Sequence, residues 1–216
     1  MSTADDANRK MPRRGRPKSV PDEERRAHIL EAAMTAFIDK GFAHVTMADI
    51  ARQAGMSKRD LYKLFADKRE LFADSIAFRR HLIIDLPRPA EEGLPLRETL
   101  RRVFRLDLDD RSAAERDALM TLINRESLIF PELNALLYDS GILRSRELVM
   151  AWLESEMAAG RIRRADTRRL AGMMMDIVFG VLQPRRRHQG HIDRAAQGEE
   201  VLARLDILLA GLAAVA

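Results

Sequence analysis

The chain has 216 residues, of which 46% are hydrophobic, a length and composition that support one large domain or two modest ones. It contains no Cys, which excludes disulfides, Cys-ligated zinc, iron–sulfur clusters and thiol catalysis. The net charge is +4, but residues 1–80 carry 17 Lys and Arg against 12 Asp and Glu, whereas residues 81–216 carry 20 against 21. This asymmetry suggests an N-terminal module that binds a polyanion, and a chance drift of charge along the chain is the alternative.

No segment of the sequence predicts membrane insertion. The N-terminus lacks the apolar centre of a signal peptide, and no later run approaches the roughly 18 apolar residues that cross a bilayer. We therefore expect a cytoplasmic protein.

Residues 1–20 are predicted to form a flexible basic arm, because Pro12, Gly15 and Pro17 disfavour regular structure. Arg13, Arg14 and Arg16 surround Gly15 in a pattern that resembles the core of an AT-hook. Glycine lets such a backbone enter a narrow minor groove, and the arginines follow its negative potential. A DNA-contacting arm is favoured, and a merely solubilising tail is the alternative.

The next residues predict four helices with clear start signals. Pro21 and three acids open the first, which stops at Gly41. Capping pairs three residues apart then open the others: Thr46 with Asp49, Ser57 with Asp60, and Asp67 with Glu70. Gly55 separates the second helix from a third over 58–65, and the fourth is predicted to run from residue 68 to about 86. Two short helices around a glycine turn are typical of a helix-turn-helix.

The third helix has two faces. Leu61, Leu64 and Phe65 recur at helical spacing and should face inward. The outward face then presents Lys58, Arg59, Tyr62 and Lys63. Three cations and a phenol suit a phosphate-lined groove.

Residues 22–80 resemble the DNA-binding domain of the TetR family of bacterial transcriptional regulators. The resemblance rests on a spaced set of residues: Gly41-Phe42, Val45-Thr46, Ile50-Ala51, Ala54-Gly55, Ser57, Leu61-Tyr62, Phe65 and Asp67-Lys68. It implies that Thr46, Tyr62 and Lys68 contact phosphate, and that Lys58, Arg59 and Lys63 are candidates for reading bases. Asp60 departs from the family pattern, so it is assigned first to capping with Ser57 or to pairing with a neighbouring cation, and second to contact with cytosine N4.

The remaining sequence predicts further helices without strand alternation. One of them is predicted to begin at a capping pair formed by Ser112 and Glu115. The fold class is therefore all-α: a flexible arm over 1–20, a three-helix helix-turn-helix DNA-binding domain over 21–86, and a larger helical ligand-binding and dimerisation domain over 87–216. This second domain resembles AcrR-like C-terminal domains only loosely.

The last two helices are predicted to form a homodimer. Their apolar residues offer more surface than one thin domain would cover: Leu170, Met174, Ile177, Val178, Val201, Leu202, Leu205, Leu208, Leu209 and Leu212. In the TetR family the corresponding helices form an intermolecular four-helix bundle. Burial within one chain is the alternative.

The resemblance also implies a cavity for a hydrophobic or amphipathic effector. Six candidate lining residues are Phe104, Met120, Asn124, Trp152, Met175 and Phe179, each of which could equally be ordinary core. We expect no catalytic residues, no metal site and no cofactor, because the nucleotide-binding and nucleophile motifs are absent from the sequence. His188, His191 and Asp193 are interpreted as part of a solvated loop.

The sequence therefore predicts a homodimeric repressor that binds a pseudo-palindromic operator in double-stranded DNA and is released by a small effector. The alternative is a DNA-binding activator or architectural dimer without an effector.

Overall fold

The computed structural model describes residues 22–89, 92–182 and 192–212. Within these ranges the chain forms helices and no strand, which confirms the all-α class. The helices are α1 (Asp22–Lys40), α2 (Met47–Gln53), α3 (Lys58–Leu64), α4 (Lys68–Arg79), a 3₁₀ turn (Arg80–Leu82), α5 (Leu96–Val103), α6 (Asp110–Ile129), α7 (Pro131–Asp139), α8 (Ser145–Ala158), α9 (Thr167–Leu182) and α10 (Arg194–Gly211). None of these helices is long and apolar enough to cross a membrane.

The predicted start signals of the helix-turn-helix are confirmed. Thr46, Ser57 and Asp67 are the N-caps of α2, α3 and α4, and each side chain accepts a hydrogen bond from a backbone N–H in the first turn. Gly41 and Gly55 both have positive φ, +79° and +64°, at the two places where the chain turns.

Two predicted boundaries were wrong. The helix α4 ends at Arg79 rather than near residue 86, and an irregular segment follows the 3₁₀ turn. Ile83 packs in one hydrophobic core and Ile84 in the other, so the chain passes between the two cores within this irregular segment. The N-cap of α6 is Asp109, three residues before the predicted cap Ser112, because the Asp109 carboxylate accepts the Ser112 N–H at 2.9 Å.

The first core joins α1–α4 to α6 and α7. At its centre the rings of Phe37, Phe42 and Phe72 lie with centroids 5.1–5.9 Å apart, and Phe130 packs edge-on against Phe42 at 5.5 Å. Phe130 is the residue between α6 and α7. The helix-turn-helix module therefore shares its hydrophobic core with helices from the second half of the chain.

The second core joins α5, α8, α9 and α10, and Phe179 of α9 packs against both cores. It contains most of the apolar residues that the sequence assigned to a dimer surface. Leu170, Met174, Val178, Val201, Leu202 and Leu205 are at most 2% exposed within one chain. That part of the prediction was wrong, because α9 and α10 use these faces against each other and against their neighbours in the same chain.

Candidate nucleic-acid interface

The helix α3 presents the outward face that the sequence predicted. Leu61 and Phe65 are almost fully buried in the first core, and the aliphatic and aromatic contacts they make fix the rotation of the helix. Lys58, Arg59, Tyr62 and Lys63 are exposed on the other side. Within the described ranges they form one solvent-facing surface, which we call the α3 face.

Asp60 neutralises part of the α3 face. Its carboxylate accepts a hydrogen bond from the Ser57 hydroxyl at 2.7 Å and from the Lys63 ammonium at 2.6 Å. These two bonds, with Lys63 the larger cause, lower the pKa of Asp60. The prediction that Asp60 caps with Ser57 or pairs with a cation is confirmed. Lys63 is therefore held by an acid, whereas Lys58 and Arg59 form no ion pair with any described residue.

The side chain of Lys58 lies over the ring of Tyr62, with Nζ 5.7 Å from the ring centroid. This distance is within the range of a cation–π interaction. The contact orients two exposed side chains that the sequence assigned to different roles, base reading and phosphate binding.

Thr46 is engaged in a complete capping box. Its hydroxyl accepts from the Asp49 N–H at 3.2 Å and donates to the Asp49 carboxylate at 2.6 Å, and the Thr46 N–H donates to the same carboxylate. These hydrogen bonds lower the pKa of Asp49. A hydroxyl has one proton, so Thr46 must release Asp49 before it can donate to another oxygen.

Lys68 points into the protein rather than away from it. Its ammonium donates to the Phe42 carbonyl at 2.7 Å and lies 4.2 Å from the centroid of the Phe42 ring. Burial lowers the pKa of Lys68, and the nearby charge of Glu126 opposes that shift. Two of the three ammonium protons stay available for another acceptor.

Charged contacts link the helix-turn-helix module to α6. Arg79, at the end of α4, forms ion pairs with Glu31 of α1 and Glu115 of α6. Further along α6, Glu126 is 3% exposed and pairs with Arg125, whose Nη2 donates to the Phe37 carbonyl at 3.4 Å. The two ends of α6 are therefore attached to α1 and α4.

In the described part of the chain that follows α4, two cavities exceed 200 Å³. The first, of about 240 Å³, lies beside residues 86–89 and 92–94 and is also lined by Thr99, Leu148, Trp152, Glu156 and Arg161. The second, of about 220 Å³, lies between α6 and α9 and is lined by Arg116, Asp117, Met120, Thr121, Asn124, Phe179 and Leu182. We call the second one the α6–α9 groove.

The predicted effector residues divide between these cavities. Met120, Asn124 and Phe179 come together in the α6–α9 groove, whereas Trp152 lines the first cavity. Phe104 is fully buried in the second core, and neither cavity includes Phe104 or Met175. Arg13, Arg14 and Arg16 lie outside the described residues, as do His188 and His191, while Asp193 is the N-cap of α10.

Sequence reasoning missed Arg116 and Asp117. Arg116 shares the buried face of α6 with Ala113, Leu119, Ile123 and Glu126. A charged residue that interrupts an apolar helical stripe is the signal that could have identified it. Among the described residues, no group of three or more His, Cys, Asp or Glu side chains is placed to hold a metal ion.

Two family models match the chain. The model described as bacterial regulatory proteins of the tetR family covers residues 29–74, and the model of the AefR-like transcriptional repressor C-terminal domain covers residues 96–211. The second model alone spans more than half of the chain. It also identifies the kind of C-terminal domain, for which the sequence suggested only a loose AcrR-like resemblance.

Individual proteins agree with these matches. A helix-turn-helix transcriptional regulator of Mycobacterium tuberculosis is 27% identical over 188 residues, 82% of this chain and 90% of its own. The transcriptional activator FasR of Mycolicibacterium smegmatis is 40% identical over 73 residues, 33% of each chain. A TetR-family regulator from Rhodococcus sp. has a TM-score of 0.69 at 21% identity, covering 87% of this chain and 99% of its own.

Regulators of this family bind DNA and form dimers. The order of elements, the α3 face and the two family matches together lead to one conclusion: the chain belongs to the TetR family of bacterial transcriptional regulators.

Proposed function

We propose that the protein is a homodimeric repressor that binds a pseudo-palindromic operator in the cytoplasm and is released by a small hydrophobic or amphipathic effector. The observation that carries the DNA-binding part is the α3 face, where Lys58 and Arg59 are exposed next to a buried apolar side. Paired Arg or Lys donors are suited to guanine O6 and N7 in the major groove.

In this proposal the residues have different tasks at the DNA. Lys58 and Arg59 read bases, and Lys63 contributes less than they do because Asp60 holds its ammonium at 2.6 Å. Thr46, Tyr62 and Lys68 bind phosphates, which position the helix without carrying sequence information. Arg13, Arg14 and Arg16 follow the adjacent minor groove.

The proposed dimer interface is the apolar surface of α9 and α10 that stays exposed to solvent in a single chain. Met173 on α9 is 51% exposed and Ile207 on α10 is 73% exposed, while Ile177, Leu208 and Leu209 are half-buried. A symmetric contact between two copies would bury this apolar surface. It would also place two α3 helices on one DNA molecule, as a palindromic site requires.

The proposed route from effector to DNA is α6. This helix lines the α6–α9 groove through Met120 and Asn124, and it contacts the helix-turn-helix module through Glu115 and Glu126. A ligand that shifts α6 would therefore move the attachments of α1 and α4. The coupling must be reciprocal, so DNA would weaken the binding of that ligand by the same factor.

Selection of bound sites from random double-stranded DNA tests the DNA-binding part and names the operator. On that operator, Lys58→Ala should reduce discrimination against altered bases by about 1–3 kcal/mol. Lys63→Ala is the matched control on the same face and should change discrimination less. Absence of an enriched sequence, or equal effects of both variants at every position, would overturn the assignment.

The alternative is a DNA-binding activator or architectural dimer without an effector, and the similarity to the transcriptional activator FasR makes activation a specific candidate. A reporter under the selected operator distinguishes the sign of regulation, because a repressor lowers its expression. A screen of small apolar compounds for thermal stabilisation together with loss of operator affinity tests the effector. Compounds that do neither would favour the effector-independent alternative.

A further inference from the structure

Arg116 is a cation and the most buried of the residues that line the α6–α9 groove. Its side chain is 3% exposed, and Leu182 beside it is also buried. Thr121 and Asn124 are exposed at the opening, and Met120 and Phe179 are half-buried between these levels. The groove therefore combines an apolar wall with a positive charge at its base.

The charge of Arg116 is incompletely balanced. Asp117 is its acidic partner, at 3.3 Å from Nη2 and 3.4 Å from Nε. The other oxygen of Asp117 lies closer to Arg194, at 2.7 Å from Nη2. One carboxylate thus serves two arginines, which leaves one positive charge in excess. Burial lowers the pKa of Arg116, with Asp117 opposing that shift, as expected of a cation that is poorly compensated.

The guanidinium also has unused donors. Arginine has five N–H groups. Asp117 accepts from Nε and Nη2, and the Arg105 carbonyl accepts from Nη1 at 3.1 Å. Each Nη nitrogen carries a second N–H for which the described residues supply no acceptor. Two such groups on one planar guanidinium match the two oxygens of a carboxylate.

We propose that the α6–α9 groove binds an amphipathic carboxylate, with the anionic group against Arg116 and the apolar part along Met120, Phe179 and Leu182. This inference rests on the proposed effector function for its regulatory meaning, but the binding itself does not depend on it. Asp117 pairs with both Arg116 and Arg194, and the ligand carboxylate would supply a second negative charge beside these two arginines. Asn124 and Thr121 supply polar groups at the opening.

The test uses decanoate and decan-1-ol, which share a chain length and differ in the charged group. Binding to the purified full-length protein, without DNA, is measured by calorimetry and by thermal shift. Decanoate should bind at least about tenfold more tightly than decan-1-ol, the ratio expected for charge-assisted hydrogen bonds. Equal binding of the two compounds, or no binding of decanoate, would overturn the proposal.

Two variants locate the site. Arg116→Gln should lower decanoate affinity to that of decan-1-ol and leave decan-1-ol binding unchanged. Arg111→Gln is the control, because Arg111 is an exposed arginine on the same helix. Met120→Trp fills the groove without removing a charge and should abolish binding of both compounds, which keeps the test decisive if Arg116→Gln does not fold. Retained preference for decanoate in either groove variant would place the site elsewhere and overturn the proposal.

Measuring operator release in addition to decanoate binding distinguishes failure of the carboxylate site from failure of the proposed effector function. If decanoate binds selectively but does not release DNA, the carboxylate site stands and the proposed effector function fails for it. If another compound releases DNA while decanoate fails to bind, the effector function stands and the carboxylate inference fails.

Discussion

The ammonium of Lys68, the first residue of α4, donates a 2.7 Å hydrogen bond to the carbonyl of Phe42, which follows the turn at Gly41 after α1. The same ammonium lies over the Phe42 ring, and Phe42 packs against Phe130 from the α6–α7 junction. Lys68, which is expected to bind phosphate, therefore also contacts the aromatic ring that packs the helix-turn-helix module against the end of α6. The proposed phosphate contact and the packing of Phe42 against Phe130 therefore both involve the Lys68 side chain.

Lys68→Met should weaken binding to all DNA sequences alike. The variant keeps the apolar stem but removes the charge, so base preference should not change and the dependence of log K on log salt should become shallower by about one unit. Affinity is measured at several salt concentrations on the selected operator and on an unrelated sequence. Arg69→Met is the control, because Arg69 is the exposed neighbour paired with Asp67. A change in base preference for Lys68→Met would contradict the phosphate assignment.

Asp60→Asn should strengthen DNA binding. The substitution removes a negative charge from the α3 face and releases Lys63 from a 2.6 Å contact. We expect tighter binding to operator and unrelated DNA, with a salt dependence that is steeper by about one unit. Asp176→Asn, an exposed acid on α9, is the matched control and should have no such effect. Weaker binding by Asp60→Asn would indicate that Asp60 contacts a base, such as cytosine N4.

Gly41→Ala should cost more stability than Gly55→Ala. Both glycines have positive φ, so alanine at either site should cost about 1–2 kcal/mol of conformational strain. A Cβ at Gly41 would also lie 3.2 Å from Oε1 of buried Glu126, whereas nothing lies within 4 Å of one at Gly55. Urea unfolding of both variants measures the difference. Equal costs would mean that the contact between Gly41 and Glu126 relaxes freely.

Met173→Glu and Ile207→Glu should prevent dimer formation. A charge at either site would be buried without a partner if α9 and α10 form the interface. Light scattering should then report monomers, with reduced operator affinity and unchanged helix content. Leu128→Glu is the control, because Leu128 is 85% exposed on α6 and lies outside the proposed interface. If both Met173→Glu and Ile207→Glu still form dimers, the interface does not lie on α9 and α10.

Local signals in the sequence were sufficient for the helix-turn-helix. Capping by Thr46, Ser57 and Asp67 depends on residues no more than three positions away, so these helix starts could be predicted without the rest of the fold. The outward side of α3 followed from the spacing of Leu61 and Phe65, because periodicity alone decides which side of a short helix is buried. The DNA roles of the exposed residues stay predictions.

Contacts between distant residues decided the rest. Sequence periodicity marks α9 and α10 as apolar, but only packing shows that Leu170 and Val201 are used within one chain while Ile207 is left exposed. Likewise, no local pattern reveals that Lys68 bonds to Phe42, 26 residues away, or that Asp117 is shared between Arg116 and Arg194. Local hydrogen bonds and helical periodicity are encoded by neighbours in the chain. The partner of a buried charge depends on which elements the tertiary fold brings together.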